Sequence, residues 1–203
     1  PSIAPQVAPV QDPALEALFN FLISWAILFF GFVSDETENA YGPVGMVGFL
    51  AGSLFLTNVF YLPMLAIRRP RSETELPAVP TQSALQAAVE SRVFPAVLAT
   101  LPVISLFWLA CGRPDAAGGF AERCGTLAQL VQSDRLAFSF AADCLIFAVF
   151  QGALLSADAA RRGASGDKWR STLQLSQCLP YYGLVWWMLR RPKLPVDDEA
   201  RDW

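Results

Sequence analysis

Asp143 carries the sharpest chemical consequence in this sequence. It sits inside the apolar run Leu136–Leu155, where a carboxylate at mid-depth of a hydrocarbon layer costs about 2.5–3.5 kcal/mol on insertion scales. Such a group turns inward and finds a partner. As a functional residue it could relay a proton or ion, or give an oxygen ligand to a magnesium-centred pigment. As a structural residue it would share a hydrogen bond with a Ser or Thr on a neighbouring span, with the acid neutral. Asn20, Asn58 and Gln151 are the other candidate ligands, each an amide within or beside an apolar stretch. Their oxygens are hard donors of the kind magnesium accepts.

Other chemistry is poorly provided for. The 203-residue chain contains no histidine, which removes the usual zinc, haem and chlorophyll ligand and the usual general base. The four cysteines, Cys111, Cys124, Cys144 and Cys178, form no C-x-x-C pair, and no metal site is expected. Cys111 and Cys124 flank one loop, so they are either a disulfide on an oxidising side or small apolar residues. No serine elbow, phosphate-cradling glycine loop or pair of buried carboxylates occurs. The chain is expected not to be an enzyme.

The elements that must position these residues are apolar helices. Apolar residues make up 54% of the chain and charged ones 16%, against ~25% charged in soluble domains. The runs 14–34, 43–67, 93–111 and 136–155 are nearly free of charge, and each is long enough for a bilayer, which takes about 20 helical residues. A fifth run, 178–189, is shorter. The predicted fold is all-α, an integral membrane helical bundle with four clear transmembrane helices plus a fifth transmembrane or re-entrant helix.

Local signals mark the boundaries. Residues 1–13 hold four prolines and predict an extended N-terminal arm, either a strap on a neighbour or a frayed end. Asp12 and Pro13 predict the start of the first helix. An acidic loop at 35–39 follows it. Gly48 and Gly52 form a G-x-x-x-G pair, which favours close helix packing or a flat ligand. Thr81–Arg92 predicts an amphipathic helix, Pro95 and Pro102 a bent third span, and the stretch after Gly119 a short surface helix. Residues 14–193 are expected to form one helical domain, with an acidic tail at 194–203. Absence of Met and of a signal sequence at the start suggests a targeting peptide already removed, or merely trimmed residues.

Basic residues choose between topologies. If all five runs cross, eight of them (Arg68, Arg69, Arg71, Arg92, Arg161, Arg162, Lys168, Arg170) face seven (Arg113, Arg123, Arg135, Arg190, Arg191, Lys193, Arg201). If the fifth run does not cross, the division becomes twelve to three, which the positive-inside rule prefers. The side holding the N-terminus and the loops near 70 and 165 is then expected to be cytoplasmic or stromal. With a net charge of −3 and scattered basic residues, no nucleic acid is expected.

Two segments resemble each other: YLPMLAIRRP at 61–70 and YYGLVWWMLRRP at 181–192. Each places aromatic and Pro or Gly residues before an apolar run ending in Arg-Arg-Pro. The string at 38–52 lacks the Glu–Arg pair of chlorophyll a/b antennas and is not assigned to that family. The Asp-bearing span DRLAFSFAADCLIFAVFQGALLSADAARRG, followed by LPYYGLVWWMLRRP, is similar to a group of uncharacterised membrane proteins of cyanobacteria and plastids. The resemblance covers about the last 70 residues. It implies a chloroplast thylakoid setting and an accessory or linker subunit of a photosystem I–light-harvesting supercomplex. Its partners would be photosystem core and antenna proteins and membrane lipid, with chlorophyll and carotenoid as peripheral cofactors. The alternative is a small transporter, channel component or assembly factor that uses Asp143, Gln151 and Asn58 along a polar path.

Overall fold

The computed structural model describes residues 11–33, 42–67, 84–113, 118–164 and 166–194. The arm at 1–10, the acidic loop and the tail beyond 194 lie outside these residues. Among the described residues all regular structure is helical. Three helices are long and apolar enough to cross a membrane: α1 (Pro13–Val33), α5 (Val93–Cys111) and α7 (Arg135–Arg161). The remaining helices are α2 (Gly42–Phe55), α3 (Thr57–Ile67), α4 (Ala84–Glu90), α6 (Phe120–Ser133), α8 (Asp167–Cys178) and α9 (Tyr182–Arg190).

α1 starts as its residues dictate, with Pro13 in the first turn and the Ala14 N–H donating to Asp12 Oδ1 at 2.8 Å. It is the most buried of the three long helices and packs along both α5 and α7. At one end the Trp108 indole donates to Glu16 at 2.9 Å, and Arg113 donates to the Gln11 carbonyl at 2.8 Å. At the other end Arg161 and Arg191 donate to the Phe32 and Gly31 carbonyls, the unpaired acceptors of a helix C-terminus. α5 is therefore antiparallel to α1, and α7 runs parallel to it.

The run expected as the second span does not cross as one helix. It breaks at Leu56 and folds back, so that the Phe49 and Tyr61 rings lie 5.1 Å apart. Twelve residues of continuous helix would separate them by about 18 Å. Ser53, Thr57 and Asn58 cluster at the break; Ser53 Oγ donates to the Leu50 carbonyl at 2.8 Å, competing for a backbone group, while Thr57 and Asn58 reach across to α7. Gly52 lets the Phe60 ring lie against its Cα, leaving no room for a Cβ, whereas Gly48 faces open space. The G-x-x-x-G pair thus serves one contact inside a hairpin rather than joining two spans.

Residues α8 and α9 form a second hairpin. Ser176 and Leu179 reach Gln151 near the middle of α7, while Trp187 and Arg191 reach Asp158 near its end. Gly183 approaches the Ser176 carbonyl so closely that a Cβ would overlap it. Both open ends of this hairpin lie at the Arg161 end of α7.

The fold-back of α2 and α3 leaves three candidate spans among the described residues in place of the four expected. Pro13 lies at the same end as Cys111 and Arg135, opposite the loop after Arg161. Of the described basic residues, Arg113, Arg123 and Arg135 are at the first end. The other eight (Arg92, Arg161, Arg162, Lys168, Arg170, Arg190, Arg191, Lys193) are at the second. Helical expectations elsewhere hold: α4 and α6 fall where the amphipathic and surface helices were read, and Pro102 lies inside α5. Pro95 lies in the first turn of α5, where a missing N–H costs little.

Candidate functional site

Helix α7 organises the polar interior. Asp143, Gln151 and Asp158 are eight and seven residues apart, which places them within about 80° of one another around the helix. Buried Phe147 and Leu154 fill the same stripe. Each of the three polar residues holds a different piece of the fold.

Asp143 is half-buried and meets the tip of the first hairpin. Its Oδ2 accepts from the Thr57 hydroxyl and its Oδ1 from the Asn58 amide nitrogen. Both donors come from another apolar segment of the chain. No basic side chain among the described residues pairs with Asp143. Asn58 is 7% exposed and its Oδ1 has no hydrogen-bond partner.

Gln151, 1% exposed, holds the tip of the second hairpin. Its Nε2 donates to the Ser176 carbonyl at 3.0 Å and the Leu179 carbonyl at 2.8 Å, and its Oε1 accepts from the Tyr181 N–H at 3.0 Å. A neutral amide has both donors and acceptor to offer, so one side chain closes a turn in which Tyr181 takes a φ of +61°. Asn20 is exposed on α1, away from both tips.

Asp158 anchors a buried ionic knot. It accepts from Arg162 Nε at 2.9 Å, from Arg161 at 3.1 Å, from the Trp187 indole at 2.7 Å and from Arg191 at 3.4 Å. Glu90 of α4 bridges Arg162 and Arg191 at 2.6 and 2.7 Å. Arg162 also donates to the Pro192 carbonyl. Burial works against the charge of Arg162, but the Glu90 hydrogen bonds and the Asp158 charge outweigh it and raise the guanidinium's pKa. The knot ties α1, α4, α7 and α9 together where their ends meet.

Two tyrosines complete the interior. The Tyr61 hydroxyl donates to the Ala26 carbonyl at 2.5 Å, and the Tyr181 hydroxyl to the Leu98 carbonyl at 2.6 Å. Leu98 stands four residues before Pro102, so its carbonyl has no N–H from its own helix. Both rings enter one aromatic cluster. Tyr61 packs on Phe29 and Phe147, Tyr181 on Phe21 and Trp25, and Trp25 on Phe147, with centroids 5.4 to 6.0 Å apart.

Of the four candidate ligands, Asn58 and Asp143 are brought together, Gln151 stands two turns away beyond buried Phe147, and Asn20 is separate. Among the described residues no group of three His, Cys, Asp or Glu side chains could hold a metal ion. All four cysteines are free thiols. Asp158, Glu90, Arg162, Arg191, Tyr181 and Thr57 were not singled out from the sequence. The 143–147–151–154–158 spacing and the Arg pairs at helix ends were the signals that carried them.

Comparison with protein-family models, with curated proteins and with solved structures finds no match.

Proposed function

We propose that the chain is a non-enzymatic accessory or linker subunit of a membrane complex. The observation that carries this reading is the contrast between its inside and outside. Gln151 and the ionic knot are engaged by backbone or side-chain partners, and Asp143 meets Thr57 and Asn58. The outer faces of α5 and α7 bear exposed Val97, Ile104, Phe107, Phe138, Leu145 and Val149. Apolar outer faces of that kind suit lipid, neighbouring helices or pigment rings. A transport path needs polar groups in sequence across the bilayer, and buried Phe147 interrupts the line from Asp143 to Gln151.

The host we propose is the photosystem–antenna supercomplex of a thylakoid, on the strength of the sequence resemblance of the last third of the chain. Chlorophyll and carotenoid would pack against the outer faces, with exposed Asn20 the accessible candidate among the four amide and carboxylate ligands. The basic end of the bundle would face the stroma by the positive-inside rule, which places the start of α1 on the lumenal side.

The test is an absorption spectrum, with pigment extraction, of the particle that co-purifies with the chain in mild detergent. Chlorophyll and antenna polypeptides at fixed stoichiometry are expected, with antenna lost when the subunit is deleted. A colourless particle, or a complex that keeps every antenna protein after deletion, would sink the proposal.

A further inference from the structure

We propose that the seam between α5 and α9 binds one anionic membrane lipid at the Arg161 end of the bundle, with its headgroup on Arg92 and Arg190 and an acyl chain along Tyr182 and Trp186. The inference takes the membrane setting from the reading above and nothing from the host complex. Charge is divided unevenly between the two ends. Among the described residues the Arg161 end holds eight basic side chains against the acids Glu90, Asp158 and Asp167. The other end holds Arg113, Arg123 and Arg135 against four acids. Glu90 and Asp158 are already engaged by Arg161, Arg162 and Arg191 in the buried knot. Arg92 and Arg190 are exposed, and neither guanidinium has an ion pair or hydrogen bond among the described residues.

The fold brings these two cations to one level. Across the seam the Tyr182 hydroxyl donates to the Ala99 carbonyl at 3.4 Å, and nearer the Arg161 end Phe94 and Met188 both crowd Gly31 of α1. α9 runs toward that end and α5 away from it. Arg190 therefore stands about 12 Å beyond Tyr182, and Arg92 about 10 Å beyond Ala99. Arg92 has helical φ and ψ of −68° and −17°, which keeps it on the same face of α5 as Ala99. On α9, Tyr182, Trp186 and Arg190 are four residues apart and all exposed, so they form one stripe. The Arg190 guanidinium lies over the Trp186 ring, 4.2 Å from its centroid. In that position its N–H groups stay open at the outer edge, where they match a phosphate. Aromatic residues beneath basic ones suit the boundary between acyl chains and headgroups, and basic pockets between membrane helices bind anionic headgroups. A neutral headgroup would leave both arginines without a counter-charge, and a soluble anion would leave the Tyr182 and Trp186 rings bare.

The experiment titrates the full chain in detergent with phosphatidylglycerol and with phosphatidylcholine of the same acyl chains, and counts bound lipid by native mass spectrometry. One phosphatidylglycerol per chain is expected, preferred about 25-fold, with each arginine supplying about fivefold. Arg190→Ala and Arg92→Ala should each lower the preference by that factor, and the double variant should abolish it. Both side chains are exposed, so these variants are expected to keep the wild-type unfolding midpoint. Trp186→Leu should weaken both lipids. Lys168→Ala with Arg170→Ala, on α8, should leave the preference unchanged. Equal uptake of the two lipids overturns the proposal, as does a preference that survives loss of both arginines or falls as far with Lys168 and Arg170. Glycerol phosphate or inorganic phosphate competing as well as the lipid overturns it in favour of a soluble anion. A chain that needs no detergent and takes up neither lipid overturns the membrane reading too. A lipid-selective chain in a colourless particle supports the seam and sinks the photosynthetic host alone.

Discussion

The two hairpins are built alike and anchored differently. Each enters beside α7 and returns parallel to it, and each has a glycine where its limbs touch, Gly52 in the first and Gly183 in the second. Each places a buried tyrosine in the shared aromatic cluster, with the hydroxyl on a carbonyl of a long helix. The similar segments at 61–70 and 181–192 prove to be the two returning limbs, as far as they are described. Yet the first tip rests on a carboxylate and the second on an amide. An amide both donates and accepts, so Gln151 satisfies its turn without outside help. Asp143 draws its two donors, the Thr57 hydroxyl and the Asn58 amide, from the tip, and the Asn58 Oδ1 is left without a partner.

A further difference lies at the mouths. The second hairpin is tied down by Asp158, Glu90, Arg162 and Arg191, all with side chains little exposed. Removing one partner from a buried ionic group leaves the others uncompensated, at a cost of about 3–5 kcal/mol. Asp158→Ala is accordingly expected to give the largest loss of stability. It strips three guanidinium groups and the Trp187 indole of their common acceptor. Denaturant unfolding in detergent should show the loss, and exchange should rise in α9 and at the end of α1 before it rises in α3. Equal loosening of both hairpins would mean that the knot supports the whole bundle and not the second hairpin.

Gln151→Leu comes next. It keeps the bulk of the side chain but leaves the Ser176 and Leu179 carbonyls and the Tyr181 N–H without their partner, each worth about 1–3 kcal/mol when buried and unpaired. A loss of about 2–4 kcal/mol is expected, with the α8–α9 tip opening locally. A loss below 1 kcal/mol would show that the turn is held by packing of Tyr181 and Gly183, and would dissolve the contrast between amide and carboxylate anchors.

The long apolar helices were legible because a span needs only length and apolar composition, and Asp143 stood out because a charge there is costly. The fold-back at Leu56 was not legible. Gly42–Ile67 has the length and hydropathy of a span, and a break driven by Ser53, Thr57 and Asn58 against Asp143 depends on a residue more than eighty positions away. Asp158 was hidden by its neighbours: next to Arg161 and Arg162 it reads as part of a solvated loop, although its spacing from Asp143 and Gln151 puts it on the inward stripe.

The smallest effect discriminates most finely. Pro102 removes the N–H that would otherwise reach the Leu98 carbonyl, and the Tyr181 hydroxyl takes its place. Tyr181→Phe alone is expected to cost about 1 kcal/mol, the net value of a typical hydrogen bond. In a Pro102→Ala background the restored N–H can serve Leu98 from within α5, so the same change should cost much less. The coupling between the two positions, read from a double-mutant cycle by unfolding, is expected to approach 1 kcal/mol. The matching change in the first hairpin, Tyr61→Phe, should show no such coupling. Ala26 lies in an unbroken helix, and its carbonyl keeps its own N–H partner when the tyrosine hydroxyl is gone. Equal coupling of both tyrosines to Pro102 would mean that the aromatic cluster, and not the freed carbonyl, links the second hairpin to α5.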